Sequence, residues 1–369
     1  MARSLQGRDI DVTVVTTNDD GPGRVMKEVT LGARSEHESY AAWYFPKQTD
    51  FYKCSLPMRS WLKAHVADFD VVHIHAVFSF SSLIAGRIAA ARKVPFIVRP
   101  LGVLNRWGME NRRRWVKAMS FRFLDLPMIK KAEAMHYTSK LELDEASRFG
   151  LTNLQRVIPM GIDLQPFENL PPRQLFADAF PETAETRNLL FLSRIDTKKG
   201  IDLLILAFAE ISPLHPNVRL IICGGGDPEL ITTLKSLAES KKLSDKITWA
   251  GPVSGDLRLS ALAAAEIFVL PSHSENFGIA LLEAMAAGLP CLSTPEVALA
   301  VDAAAHHAVR LADRPPGAIA AALNELLNSS DQRQALSRSA QSLARQNYSL
   351  PAMGNALENL YREVIRREA

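Results

Sequence analysis

The sequence predicts an α/β protein of two doubly wound domains, and three observations carry that prediction. Short apolar, β-branched runs alternate with helical stretches along the whole chain, the pattern of parallel strands joined by crossover helices. At 369 residues the chain is long for one domain and comfortable for two. Between the halves, residues 163–186 hold Pro166, Pro171, Pro172 and Pro181 without a clear period, which reads as an interdomain linker.

In the first half, strands are expected at 10–17, 42–45, 71–75, 95–98, 134–138 and 156–158. In the second half they are expected at 189–192, 218–223, 247–249, 267–270 and 291–293. The domains then run 1–168 and 187–350, followed by an amphipathic stretch, 352–369, after Tyr348-Ser349-Leu350-Pro351.

Composition excludes whole classes. With 47% hydrophobic and 22% charged residues the chain is neither disordered nor fibrous. Cys54, Cys223 and Cys291 are far apart and lack metal-ligand spacing, so they read as reduced thiols and no metal site is expected. The first eleven residues form no signal peptide and no run of about eighteen apolar residues occurs, so a cytoplasmic protein is expected. The net charge of +3 hides an asymmetry: residues 1–168 carry 24 Lys/Arg and 18 Asp/Glu, the remainder 19 and 22.

The most informative segment is 271–290, P-S-H-S-E-N-F-G-I-A-L-L-E-A-M-A-A-G-L-P. From Gly278 to Ala287 only Glu283 is polar, and Gly288 with Pro290 supplies a helix stop. An apolar helix is a buried helix, and a buried carboxylate needs a partner or a ligand. Glu275 lies eight residues earlier, at or just outside the helix start, where Ser272, Ser274 and Asn276 are candidate caps. A rise of about 1.5 Å per residue would place the two carboxylates about 10 Å apart, wider than the roughly 5 to 9.5 Å of glycoside hydrolases. Between them the amides of Asn276, Phe277, Gly278 and Ile279 would face a phosphate at the positive end of the helix dipole. Polar groups at both ends with phosphate between describe a nucleotide sugar. The plainer alternative is that Glu283 caps a neighbouring turn or pairs with an arginine.

The spacing Glu275-x7-Glu283 within P-S-x-x-E-x-F-G-x-x-x-L-E-A-M-A-x-G-x-P resembles the signature of family-4 retaining glycosyltransferases of GT-B fold. The resemblance implies two Rossmann-like doubly wound domains facing a cleft, the last helix crossing back to the first domain. It implies transfer of a sugar from a nucleotide diphosphate donor to a glycan or polyprenyl-linked acceptor, without metal or cofactor, in polysaccharide or cell-envelope assembly. Glu275 would contact the transferred sugar as the first choice for a catalytic role, and Glu283 would hold ribose hydroxyls. Relatives usually open with a strand, a glycine-rich loop and a helix. Here residues 2–17 already resemble the end of that helix and the second strand, so the first domain is expected to lack its first strand, about 25 to 30 residues in all.

Arg194 and Lys199 stand five apart after the first strand of the second half, where a doubly wound sheet binds ligands and where both can converge on a diphosphate. They match the family pattern G-R-x-x-x-x-K-G with Ser193 in place of glycine. Gly224 and Gly225, in the G-G-G turn after the next strand, correspond to a turn lining the donor pocket; the third glycine of a dinucleotide fingerprint is missing, so a dehydrogenase is improbable. Gly251-Pro252-Val253, after the next strand, matches the turn that in the family usually borders the nucleobase.

The first half holds the acceptor side. His73 and His75 share a face of one strand by period two, and a buried, satisfied histidine is the commoner fate. Arg99 and Gly102, in Arg99-Pro100-Leu101-Gly102, stand in the loop where many relatives carry a histidine. Residues 105–131 carry eight basic and two acidic residues among Trp107, Trp115, Phe121 and Phe123. That pattern suits an anionic membrane surface, so the chain is expected at the inner face of the plasma membrane, with a solvated helix face as the alternative. No nucleic-acid module accompanies the patch, and no nucleic-acid partner is expected. A second class of function is binding of a nucleotide sugar without transfer.

Overall fold

The computed structural model describes residues 1–21, 23–105, 109 and 114–367. It divides into two compact units, Met1–Gly161 with Leu350–Ala369, and Ile162–Ser349.

The first unit contains β1 (Thr13–Thr17), β2 (Arg34–His37), β3 (Tyr40–Phe45), β4 (Val72–His75), β5 (Phe96–Arg99), β6 (Ala134–Tyr137) and β7 (Leu154–Val157). They form two sheets, β1-β3-β2 and β4-β5-β6-β7, so β1 and β4 are both edge strands. β2 was not anticipated. Its Arg-Ser-Glu-His sequence has no apolar face, and it pairs antiparallel with β3 as an exposed edge.

The second sheet is parallel throughout and covered on both faces. Alternation along β5 explains how. Phe96 and Val98 join a core with Met58 and Leu62 of the helix Leu56–His65 and Leu83 and Ile88 of the helix Phe80–Ala91. Ile97 points the other way, onto the C-terminal helix Leu350–Arg366. That helix presents Met353, Leu357, Leu360, Tyr361 and Val364 at helical spacing. Gly354 lets it approach, since a Cβ there would stand 2.0 Å from the Ser4 carbonyl oxygen.

The second unit contains β8 (Arg187–Leu192), β9 (Val218–Cys223), β10 (Ile247–Gly251), β11 (Ile267–Leu270), β12 (Cys291–Ser293) and β13 (Arg310–Leu311), in the order β10-β9-β8-β11-β12-β13. All neighbours are parallel. The two-residue β13 is too short to leave a sequence signal. From β8 the chain builds outward through β9 and β10, then returns to start again at β11. The direction reverses between β8 and β11, and a ligand crevice is expected outside the carboxyl ends of those two strands.

Residues 163–186, expected as a linker, instead pack with the second unit. The short helix Gln174–Ala179 buries Phe176 completely. Ser260 holds the irregular backbone in place. Its Oγ accepts from the Phe176 N–H at 2.9 Å and donates to the Pro172 carbonyl at 2.8 Å. The prolines that suggested a linker therefore shape a clasped segment. No described helix is long and apolar enough to cross a membrane.

Phe176→Ala should lower the unfolding free energy by about 3–5 kcal/mol, the usual cost of emptying a buried aromatic site. Urea denaturation checks it. A midpoint equal to wild type would mean that the segment is a detached linker after all.

Candidate functional site

The crevice at β8 and β11 is built by backbone approaching backbone. The Ser193 N–H donates to the Cys223 carbonyl at 3.1 Å, Ile195 to Gly225 at 2.8 Å, and Gly224 to Gly251 at 2.7 Å. Gly224, at φ +154°, admits this contact only because it has no side chain: a Cβ would lie 1.8 Å from the Ser193 oxygen. At Gly225 a Cβ would meet only Pro252 at 3.9 Å, an ordinary contact. Packing therefore requires glycine at 224 and leaves position 225 open to a close-lying ligand. Val253 follows β10 in the adjoining loop, half-buried.

After Arg194, Asp196 caps the turn Thr197–Lys199 by accepting from the Lys198 N–H at 3.0 Å. Gly200 follows in the left-handed region, and a Cβ on it would stand 2.0 Å from the Pro271 carbonyl oxygen. The His273 N–H donates to the Lys198 carbonyl at 2.7 Å, so the loops after β8 and β11 are locked together. Two predicted residues are thereby joined: Lys199 Nζ pairs with the Glu275 carboxylate. Arg194 is exposed on the same loop. Lys198 is held below its usual pKa by burial, opposed by the attraction of Asp196 and Glu275 and reinforced by repulsion from Arg194 and Lys199. Three cations and two carboxylates, Asp196 and Glu275, thus gather at the strand ends.

Glu275 is fixed through its backbone, its N–H donating to Glu296 at 3.0 Å and its residue bridging to Val297. It lies outside the helix Ile279–Ala286, whose N-cap is Gly278 at φ +103°. The N-cap position thus belongs to none of the candidates Ser272, Ser274 and Asn276, and Gly278 brings no side chain to it. Capping by a side chain would require an ordinary extended residue at the cap, but Val297 Cγ1 would lie 2.8 Å from any Cβ at 278. The first amides of the helix, beginning with the exposed Ile279, keep the polarity that favours an anion. Phe277 is an anchor; it is buried edge-on to Tyr348 at 6.0 Å, and its carbonyl accepts from Leu299 at 3.1 Å.

Glu283 pairs with Arg258 of the helix Gly255–Ala264, which is the arginine alternative raised by its sequence. Arg258 was not anticipated, because its Asp-Leu-Arg context carries no motif.

In the first unit, His75 ends β4 directly opposite Arg99, which ends β5. Arg99 is buried, whereas the Gly102 N–H is committed to Glu142 Oε1 and is unsuited to a ligand. His73 lies beneath, bonded through Nδ1 to the Tyr361 hydroxyl at 2.9 Å, a satisfied core histidine. Within 105–131, Trp107 lies outside the described residues. The helix Arg114–Ser120 leads into a π-turn, Phe121–Asp125, which leaves Trp115, Met119 and Phe123 at 73%, 58% and 62% exposure. Phe121 departs from the expected aromatic surface: it is buried against Phe149 at 4.5 Å.

Comparison with known proteins bears on this architecture. Residues 1–161 match the glycosyl transferase 4-like domain, and residues 174–343 match glycosyl transferases group 1. The D-inositol 3-phosphate glycosyltransferase of Kineococcus radiotolerans is 30% identical over 229 residues, covering 58% of this chain and 52% of the relative. The chain thus spans about half the length of the curated relatives it matches first. Among solved structures, the sucrose-phosphate synthase of Thermosynechococcus elongatus superposes with a TM-score of 0.73 at 20% identity, covering 99% of this chain and 91% of that one. Anabaena Alr3699/HepE, in complex with UDP and glucose, superposes at 0.72 with 16% identity, covering 87% and 86%. The two family matches together take in nearly the whole chain, and it belongs to the family-4, group 1 glycosyltransferases and shares their GT-B fold of two Rossmann-like domains.

Proposed function

We propose that this chain transfers a sugar from a nucleotide diphosphate sugar to an acceptor, with retention of anomeric configuration. One observation carries the reading: Lys199 and Glu275 meet at the point where the parallel sheet reverses, in front of a helix whose N-cap is a glycine. A diphosphate there accepts hydrogen bonds from Arg194, Lys199 and the first helix amides. As the bond between sugar and phosphate breaks, negative charge grows on the leaving oxygen, and these fixed donors stabilise it. The positive charge comes from side chains, so this reading requires no metal and no cofactor.

Lys199 exchanges its carboxylate partner for phosphate when donor binds, which frees Glu275 to accept from sugar hydroxyls. Glu275 is the catalytic candidate. The acceptor attacks from the same face as the departing phosphate, and no covalent nucleophile is assigned. Glu283, its carboxylate oriented by Arg258, accepts from the ribose hydroxyls. Gly225 and Val253 border the nucleotide. The UDP and UDP-glucose complexes of the Anabaena structural neighbour support this class of donor. The two separate sheets of the first unit favour a second reading, donor binding without transfer.

Turnover of a panel of nucleotide sugars tests both readings. Lys199→Ala and Glu275→Ala should each lower kcat by about 10²–10³-fold with the fold retained, as removal of a transition-state donor or positioning group does. Wild-type turnover by either variant would overturn the assignment, and binding without turnover in the unmutated chain would favour the second reading.

The acceptor proposed is a glycan or polyprenyl-linked sugar in polysaccharide or envelope assembly, reached from the inner face of the plasma membrane. Trp115, Val116, Met119 and Phe123 recur at three- and four-residue spacing, an exposed apolar stripe beside the basic Lys117 and Arg122. The chain should co-sediment with vesicles containing anionic lipid and be released by about 1 M salt. Trp115→Ser with Phe123→Ser should reduce the bound fraction several-fold, and equal binding by that variant would exclude this surface.

A further inference from the structure

We propose that Arg99 is a binding site for an oxyanion, a phosphate or carboxylate group borne by the acceptor. The site lies in the first unit, where β4 and β5 end side by side with His75 opposite Arg99. Its identification as an acceptor site rests on the glycosyl-transfer reading; the anion site itself rests on the following geometry.

Arg99 is 3% exposed, yet its Nε and Nη2 have no hydrogen-bond partner among the described residues. These two groups form one edge of the guanidinium, with parallel N–H bonds matched to two oxygens of a phosphate or carboxylate. Its Nη1 has only a weak acceptor within reach, the thioether of Met1 at 3.7 Å. A buried cation lacking hydrogen bonds along an entire edge is costly to a fold and calls for a partner.

The surrounding groups do not fill that role. Glu142 attracts Arg99, but both of its oxygens are committed: Oε1 accepts from the Gly102 N–H, and Oε2 from the Thr138 N–H at 2.7 Å and hydroxyl at 2.8 Å. The histidines beneath it are neutral, His136 being held down to about 3 by burial and by the charge of Arg99. Neutrality fixes their direction, because each ring then has one N–H. The Ile158 carbonyl can only accept, so His136 Nε2 donates to it at 2.9 Å. His136 Nδ1 therefore accepts from His73 Nε2 at 3.2 Å, and His73 Nδ1 accepts from the Tyr361 hydroxyl at 2.9 Å. The whole relay is internally satisfied and supplies no anion to Arg99.

The backbone supports a ligand role as well. Ala76, Phe78 and Leu101 take φ of +64°, +64° and +57° in the loops that follow the two strands. Non-glycine residues in that region are strained, and such strain gathers at ligand-binding sites. Carboxyl ends of adjacent parallel strands are also where doubly wound domains bind ligands.

The test uses the full chain carrying Arg194→Ala and Lys199→Ala, which removes the other phosphate-binding candidate. Inorganic phosphate and acetate are titrated separately while the Arg99 Nε resonance is followed by NMR, assigned by its disappearance in Arg99→Lys. A saturable shift with either probe is expected, phosphate alone indicating a phosphoryl-bearing acceptor and acetate alone a carboxylate-bearing one. Arg99→Gln should weaken binding of the active probe by about tenfold or more in equilibrium dialysis, as loss of a bidentate charged contact does. If neither probe moves the resonance, or Arg99→Gln binds as tightly as its parent, the proposal is wrong. Should Arg99→Gln fail to fold, the resonance shift decides alone. No turnover is measured, so an absence of glycosyl transfer would leave this result standing.

Discussion

The second unit depends on one close approach, that of the loop after β8 to the loop after β11. Gly200 lies against the Pro271 carbonyl where no Cβ fits, and the Lys198 carbonyl receives the His273 N–H at 2.7 Å. The contact holds two segments about seventy-five positions apart in register, and Lys199 meets Glu275 as a result. Without it the cation and the carboxylate would sit on separate loops, each solvated, and neither would be pre-oriented for a ligand.

The same economy of backbone explains why charge can gather there. Lys198 is repelled by Arg194 and Lys199 and attracted by Asp196 and Glu275. In the proposed reading, a diphosphate adds several acceptor oxygens and negative charge to such a cluster. On that same proposed reading, the Lys199–Glu275 pair is the arrangement before donor binds, and the cations are shared out differently afterwards. Arg258 likewise pairs with Glu283, the one polar side chain of an otherwise apolar helix. In the first unit, Arg99 shows the reverse situation, a buried cation with Nε and Nη2 unpartnered among the described residues while the nearby Glu142 is bonded elsewhere.

Much of this was legible in the sequence, for identifiable reasons. Glu275, Arg194 and Lys199 stand near strand and helix ends that glycine, proline and apolar periodicity mark out, and Glu283 is the one polar residue of an apolar helix. Partners chosen by tertiary approach leave no such trace. Arg258 occupies an unremarkable position on its helix and is defined only by facing Glu283. Phe176 was hidden among prolines that resemble a linker, and only the Ser260 hydroxyl reveals the segment as packed structure. Phe121 and Phe123 look equivalent in sequence, yet the π-turn sends one inward and the other to the surface. The helix cap was misread because Gly278 was chosen by its contact with Val297, a neighbour twenty residues distant that local preferences cannot report.

The central claim is that one phosphate site is shared by Arg194, Lys199 and the helix start at Gly278. A crystal structure with bound uridine diphosphate tests it most directly. The account predicts phosphate oxygens within about 3 Å of Lys199 Nζ and the Arg194 guanidinium, Lys199 turned away from Glu275, and the ribose on Glu283. A nucleotide bound elsewhere, with Lys199 still paired to Glu275, would contradict it.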